Sequence, residues 1–170
     1  MKCLQVVKAL AGNDKVKTDA GRDGILPLIV IAMDRHVTRV GLVEAGCSAH
    51  TVLMLRQLEN SVTVVKGCDR ASIMTLVMSK HPTNKRMQSH AAAAIRNIVS
   101  SNKELVAAFI DRGVEQLLSL AMEHHRNTIG DTIRSAQRDL GLKVEFVESW
   151  TWDKIKISED FRESSDIVDN

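Results

Sequence analysis

The stretch at residues 73–81, IMTLVMSKH, identifies the fold, because two variants of it occur elsewhere in the chain. Residues 28–36 read LIVIAMDRH, and residues 117–125 read LLSLAMEHH. The methionines of the three copies lie 45 and 44 residues apart, which is a spacing typical of helical repeat units. Within each copy the apolar residues recur at steps of three and four. This pattern predicts an amphipathic helix in each of the three places.

Two further helices are predicted in each repeat. A longer helix follows each copy, and its small residues Ala49, Ala94 and Ala136 recur 45 and 42 residues apart. A short helix is predicted before each copy, because a group of polar residues that includes Asn, Asp or Ser lies where it can cap the first turn of such a helix. These short helices are predicted at residues 16–22, 62–66 and 103–111, ending near Gly24, Gly67 and Gly113, where a left-handed residue can turn the chain.

Each unit therefore consists of a short, a middle and a long helix. Such a unit cannot bury its apolar faces alone, so the units are expected to stack into an all-α solenoid. The first predicted helix, residues 4–11, matches the long helix of a unit without its first two helices. We therefore expect the chain to be the C-terminal part of a longer solenoid or a truncated form of one. Residues 151–170 carry three basic and six acidic side chains and are predicted to form a disordered acidic tail after a solenoid at residues 1–150.

The long helix of the second unit carries the resemblance to a known family. Residues 91–99, AAAAIRNIV, are similar to the Ala-x-x-Leu-x-Asn-Leu-like signature on the third helix of armadillo repeats. Residues 47–61 and 136–150 add to the similarity and resemble the C-terminal end of a longer armadillo protein. The resemblance covers residues 1 to about 150. It implies a right-handed armadillo-type α-solenoid of about three three-helix repeats, with one leading helix from an incomplete repeat.

The resemblance also implies a function. The third helices of armadillo proteins line a concave surface, so we expect a non-enzymatic protein-interaction module, a scaffold or adaptor with a protein or peptide partner. The expected concave face comprises Ser48, Val52, Arg56, Ser89, Ala93, Arg96, Asn97, Ser135, Arg138 and Asp139. In peptide-binding armadillo proteins an Asn on each third helix binds the peptide backbone. Only Asn97 matches here, since the equivalent positions hold Val52 and Asp139, and this argues against that mode of binding.

A helical-repeat RNA-binding module is the alternative. The 23 basic and 21 acidic side chains give a net charge of only +2, and aromatic residues make up 3% of the chain. Phosphate neutralisation and base stacking are therefore both weakly supported, and a nucleic-acid partner is not favoured. The longest apolar stretch, residues 25–33, falls far short of the roughly 20 residues that span a bilayer. Without a secretory signal, the expected compartment is the cytoplasm, with the nucleus as an additional location.

The sequence predicts no catalytic residue, no metal ligands and no cofactor. Cys47 and His50 lie three residues apart on one helical face, but a single pair does not make a zinc site, so we expect both to pack in the core. His50 and Gln137 occupy positions that normally face the core and would need hydrogen-bonding partners there. The three repeated methionines are all expected to fill the core; they are Met33, Met78 and Met122.

The remaining basic and histidine residues are interpreted structurally. His36, His81 and His125 recur at the end of the middle helix, where a histidine can bond the last carbonyls of its own helix. A basic stretch between the middle and long helices of the second unit is expected to be a solvated loop, with contact to an acidic partner as the alternative. It consists of Lys80, His81, Lys85, Arg86 and His90.

Overall fold

The computed structural model describes residues 2–55 and 70–144, and within these ranges it contains eight α-helices, one short 3-10 helix and no strand. The α-helices are α1 (Lys2–Leu10), α2 (Asp14–Arg22), α3 (Ile25–Arg35), α4 (Val40–Met54), α5 (Arg70–Lys80), α6 (Lys85–Ser101), α7 (Val106–Ile110) and α8 (Val114–Asp139). The prediction of an all-helical chain is confirmed for these residues. The predicted helix at residues 62–66, its end near Gly67 and the tail at residues 151–170 lie outside the described ranges.

The predicted helix ends depend on asparagine caps and left-handed glycines. Asn13 Oδ1 accepts hydrogen bonds from the amides of Lys15 (2.9 Å) and Val16 (3.4 Å) at the start of α2. Asn102 caps the 3-10 helix Lys103–Leu105 in the same way and accepts the Glu104 amide at 3.0 Å. Gly24 and Gly113 have φ values of 76° and 71° and begin α3 and α8.

Two helix boundaries differ from the prediction. The short helix predicted at residues 103–111 is split into the 3-10 helix and α7. The middle and long helices of the third unit are joined in α8, which is kinked at His125 (φ −134°, ψ 15°). Residues 114–129 contain neither proline nor glycine, so the two residue types that most often end a helix are missing between the two segments. A kink thus replaces the loop that separates α3 from α4 and α5 from α6.

Corresponding helices of successive units pack side by side. Among the long helices, α1 contacts α4, α4 contacts α6 and α6 contacts α8. Among the middle helices, α3 contacts α5 and α5 contacts α8. The helices thus form two layers in the order of the chain, the arrangement of an α-helical repeat. The name "long helices" refers below to α1, α4, α6 and residues 126–139 of α8.

The core lies between these two layers. Ala91, Ala92 and Ala94 of α6 are fully buried and allow the neighbouring long helices to approach closely. Met33 and Met78 are also buried, as expected, but Met122 is only half-buried. Met122 lies on the last unit of the stack, where no further described helix covers it, so the expectation that it fills the core was only partly right.

Equivalent histidines join the units. His81 Nε2 donates to Val37 O at 2.7 Å, and His125 Nε2 donates to Pro82 O at 3.0 Å. Val37 and Pro82 are themselves 45 residues apart, so the two bonds occupy equivalent places in the repeat. The prediction that these histidines bond their own helix ends was wrong, because the carbonyl within reach belongs to the preceding unit.

Side-chain amides, rather than histidines, bond the carbonyls near the helix ends. Gln88 is buried, and its Nε2 donates to Met78 O (3.0 Å) and His81 O (2.9 Å) at the end of α5. Asn97 Nδ2 on α6 donates to Thr51 O on α4 at 2.8 Å, while Thr51 Oγ1 donates back to His90 O at 3.1 Å. Since a buried carbonyl without a donor costs free energy, these bonds set the register between adjacent units.

Replacement of His81 by Ala tests the bond between units. We expect His81→Ala to lower the free energy of unfolding by about 1–2 kcal/mol, because the Val37 carbonyl loses its donor. His36→Ala is the matched control, since His36 holds the equivalent place at the end of α3 but is exposed. It should change stability by less than about 0.5 kcal/mol. Urea-induced unfolding followed by circular dichroism measures both, and equal losses would contradict the interpretation.

Helix α4 crosses α3 closely at Gly46. A Cβ atom added at Gly46 would lie 2.5 Å from Met33 Sδ and 2.6 Å from Met33 Cγ. Because Met33 is completely buried, its side chain has little room to move away. The close packing of α3 and α4 therefore requires the absence of a side chain at this position.

Gly46→Ala should lower the free energy of unfolding by about 1–2 kcal/mol, because overpacking outweighs the gain in helix propensity. Gly130→Ala provides the same change inside α8. Its Cβ would meet only the flexible guanidinium of Arg134, at 3.3 Å, so we expect stability to rise by up to about 1 kcal/mol. Thermal unfolding of both variants checks the difference. Stabilisation by both substitutions would show that the Met33 side chain can move away from the added Cβ atom at little cost in free energy.

Candidate functional site

The long helices present one face to solvent, and nine of the ten residues predicted for the concave face fall within the described ranges. Arg96 and Arg138 are exposed, and Ser48 is almost buried at 6% exposure. The half-buried members are Val52, Ser89, Ala93, Asn97, Ser135 and Asp139. Arg56 lies outside the described residues. Their role in binding stays a prediction, although the structure brings several of them into direct contact.

Asp139 joins two of the predicted arginines. Its carboxylate lies 3.3 Å from Arg96 Nε on α6 and 3.5 Å from Arg138 Nε on its own helix. The Asp139 backbone carbonyl accepts a hydrogen bond of 2.7 Å from Lys103 Nζ. One carboxylate is thus shared by two guanidinium groups, and this part of the face keeps an excess of positive charge.

A groove of about 470 Å³ lies at the opposite end of the face, between α1, α4 and α6. We call it the α1–α4–α6 groove. Six of the residues that line it are Leu4, Lys8, Glu44, Ser48, Arg86 and His90. The prediction of a solvated loop was wrong for Lys85, Arg86 and His90, because all three belong to α6. Arg86 lies three residues before Ser89, and His90 lies three residues before Ala93, so helical spacing would have placed them on the same face.

The charges in the groove come from three helices. Arg86 Nη1 on α6 lies 3.2 Å from Glu44 Oε1 on α4. The pKa of His90 is lowered from its ordinary value of 6.5, chiefly by burial and then by the charge of Lys8 on α1. Glu44 raises this pKa and Arg86 lowers it, and both effects are smaller than those of burial and Lys8. His90 is therefore less readily protonated than an exposed histidine.

The lowered pKa of His90 predicts a dependence of stability on pH. An unfolded chain binds a proton at His90 more readily than the folded one, so the free energy of unfolding should fall as the pH drops below about 6.5. His90→Gln should reduce this fall, whereas His124→Gln, at an exposed position on α8, should leave it unchanged. Urea unfolding at about pH 7.5 and about pH 5.5 measures the difference. A full pH effect in His90→Gln would contradict the assignment.

Cys47 and His50 are both buried in α4. Burial raises the pKa of the Cys47 thiol to about 12, with a backbone hydrogen bond lowering it and Glu44 raising it slightly. His50 Nδ1 lies 3.1 Å from Gly46 O, which gives the predicted core histidine one of the partners it needs. Gln137 is half-buried at the edge of the stack. In residues 2–55 and 70–144 no three His, Cys, Asp or Glu side chains are grouped so that they could hold a metal ion.

No helix within the described ranges has the length and apolar character needed to cross a membrane. The layered helices, the units about 45 residues long and the polar face of the long helices define an α-helical repeat protein that resembles the armadillo type.

Comparison with known proteins supports this class. Armadillo repeat-containing protein 6 from Pongo abelii and its counterpart from Homo sapiens are each 41% identical to this chain over 58 residues. The similarity covers 34% of this chain and 12% of each relative, so it concerns a small part of a longer protein. No protein-family model and no solved structure matches the chain.

Proposed function

We propose that the chain is a non-enzymatic protein-interaction module, a scaffold or adaptor built on a right-handed armadillo-type solenoid. In this proposal three repeats and a leading helix from an incomplete repeat present the long helices on a concave face. The observation that carries the proposal is the unbroken contact from α1 to α4, from α4 to α6 and from α6 to α8. The partial similarity to armadillo repeat-containing protein 6 gives independent support for a protein partner.

The chemistry of the face suits a polypeptide. Ser89, Ala93 and Ser135 are small and half-buried, so a partner can approach the helix backbones closely at these positions. Arg96 and Arg138 border them with exposed guanidinium groups that offer several hydrogen-bond donors each. Small residues at the centre with arginines beside them allow a close fit together with directional contacts.

Asn97 contributes to this face in a different way from the backbone-binding Asn of peptide-binding armadillo proteins. Its Nδ2 donates to Thr51 O, so the amide fixes α6 against α4 rather than reaching toward a partner. Substitution of Asn97 would therefore change stability as well as any binding. A test of the face is better directed at Ala93 and Ser135, whose side chains make no such bond in the described part of the chain.

The test compares two matched double variants. Ala93→Gln with Ser135→Gln adds bulk to the proposed concave face without adding charge. Ser79→Gln with Ser119→Gln adds similar bulk to exposed positions on the middle helices. Affinity capture followed by mass spectrometry measures the amount of each protein partner recovered. We expect the first variant to recover at least about tenfold less of these partners than the unmodified chain. The control should keep them.

Circular dichroism of both variants shows whether the fold is retained. Equal recovery of partners by the two double variants would contradict a role for the concave face. The same capture with and without ribonuclease distinguishes a protein partner from an RNA-mediated one. Loss of all partners after ribonuclease treatment would overturn the proposal.

A further inference from the structure

The α1–α4–α6 groove has an unequal distribution of charge. Lys8 and Arg86 line it together with His90, whereas Glu44 is the one acidic residue in the lining. The Glu44 carboxylate already lies 3.2 Å from Arg86. Lys8 is exposed and has no acidic partner among the residues that the structure describes. The groove therefore holds two cations and one carboxylate, and the carboxylate is paired with Arg86 rather than with Lys8.

The other end of the same face likewise has two cations beside one carboxylate. Asp139 is shared by Arg96 and Arg138, whose side chains are 48% and 62% exposed. Glu44 and Asp139 are thus both engaged by arginine, and positive charge remains at each end of α6. Carboxylates that approached either place would meet opposite charge, whereas a basic segment would be repelled at both.

We propose that the α1–α4–α6 groove binds an acidic segment of the protein partner, with carboxylates beside Lys8 and Arg86. This inference rests on the proposed function and specifies the chemistry of the partner. The groove, at about 470 Å³, has room for several side chains, and Leu4 and Ser48 give its wall one apolar and one polar contact. Binding would relieve the mutual repulsion of the cations that α1 and α6 bring together.

An acidic polypeptide fits these observations better than a nucleic acid. The groove lining contains no Phe, Trp or Tyr to stack on bases, and Phe109, the one such residue within the described ranges, is buried. Carboxylates need no stacking surface, and they can share an arginine or lysine with Glu44 at the rim.

The experiment measures peptide binding to the full chain by fluorescence polarisation. The probes are a labelled peptide of alternating Glu and Ala and a peptide of the same length with Gln in place of Glu. We expect the Glu peptide to bind at least about tenfold more tightly at low ionic strength and to lose affinity as salt is added. Equal affinity for the two peptides would overturn the proposal.

Three variants locate the binding site. Lys8→Glu should weaken binding of the Glu peptide about threefold to tenfold, and Glu44→Gln should strengthen it. Lys2→Glu is the matched control, because it changes the net charge equally on the same helix but lies outside the groove lining. The affinity of Lys2→Glu for the Glu peptide should equal that of the unmodified chain. Equal weakening by Lys8→Glu and Lys2→Glu would show a general charge effect and would contradict this location.

The imidazole of His90 gives a second readout that does not depend on affinity. Carboxylates in the groove should raise the pKa of His90, because they oppose the charge of Lys8, and NMR titration of the imidazole with and without the Glu peptide measures this. Lys8→Glu should raise the same pKa without any peptide. A pKa of His90 that the bound peptide leaves unchanged would place the peptide elsewhere.

Two outcomes separate this proposal from the proposed function. If the Glu peptide fails to bind while the neutral variants at Ala93 and Ser135 still abolish partner capture, the concave face binds proteins but the acidic class is wrong. A single-stranded RNA oligonucleotide that binds more tightly than the Glu peptide, and loses affinity in Lys8→Glu, would replace the acidic segment with a nucleic acid.

Discussion

Close contact between successive long helices governs the other features of this molecule. Helix α6 lies between α4 and α8, and its fully buried alanines let both neighbours approach closely. On the other side of α4, Gly46 leaves room for the buried side chain of Met33. Small residues therefore set the distances between helices, and larger side chains such as Phe109, Leu53 and Met74 fill the space that remains.

Polar contacts then fix the register of this apolar stack. Hydrophobic burial alone would permit neighbouring helices to slide by a turn, because its free energy depends on area rather than direction. The bonds from His81 to Val37 and from His125 to Pro82 exclude such a shift, since each carbonyl has one donor at one place. The amide of Asn97 has the same effect between α6 and α4. Because these bonds fix each helix relative to its equivalent in the next unit, the helices pack as repeated units.

The candidate site is a consequence of that register. Glu44 and Arg86 are 42 residues apart in sequence, and Arg96 and Asp139 are 43 apart, yet each pair is in contact. Both pairs join one long helix to the next, which leaves Lys8 and Arg138 as further cations at the two ends of the face. The electrostatic character of the face therefore comes from stacking rather than from the charge of any single helix, and the near-neutral balance of the whole sequence conceals it.

Local sequence patterns were enough to predict the helical class of the described residues and the caps at Asn13 and Asn102, because apolar spacing, asparagine caps and left-handed glycines such as Gly24 act within a few residues of one another. They also placed Met33 and Met78 in the core. The packing of the units was needed to show that His81 bonds the preceding unit, that Asn97 holds α4, and that Arg86 and His90 line a groove. These contacts join residues about 40 positions apart, so they depend on the distance and register between helices, which a local pattern does not encode.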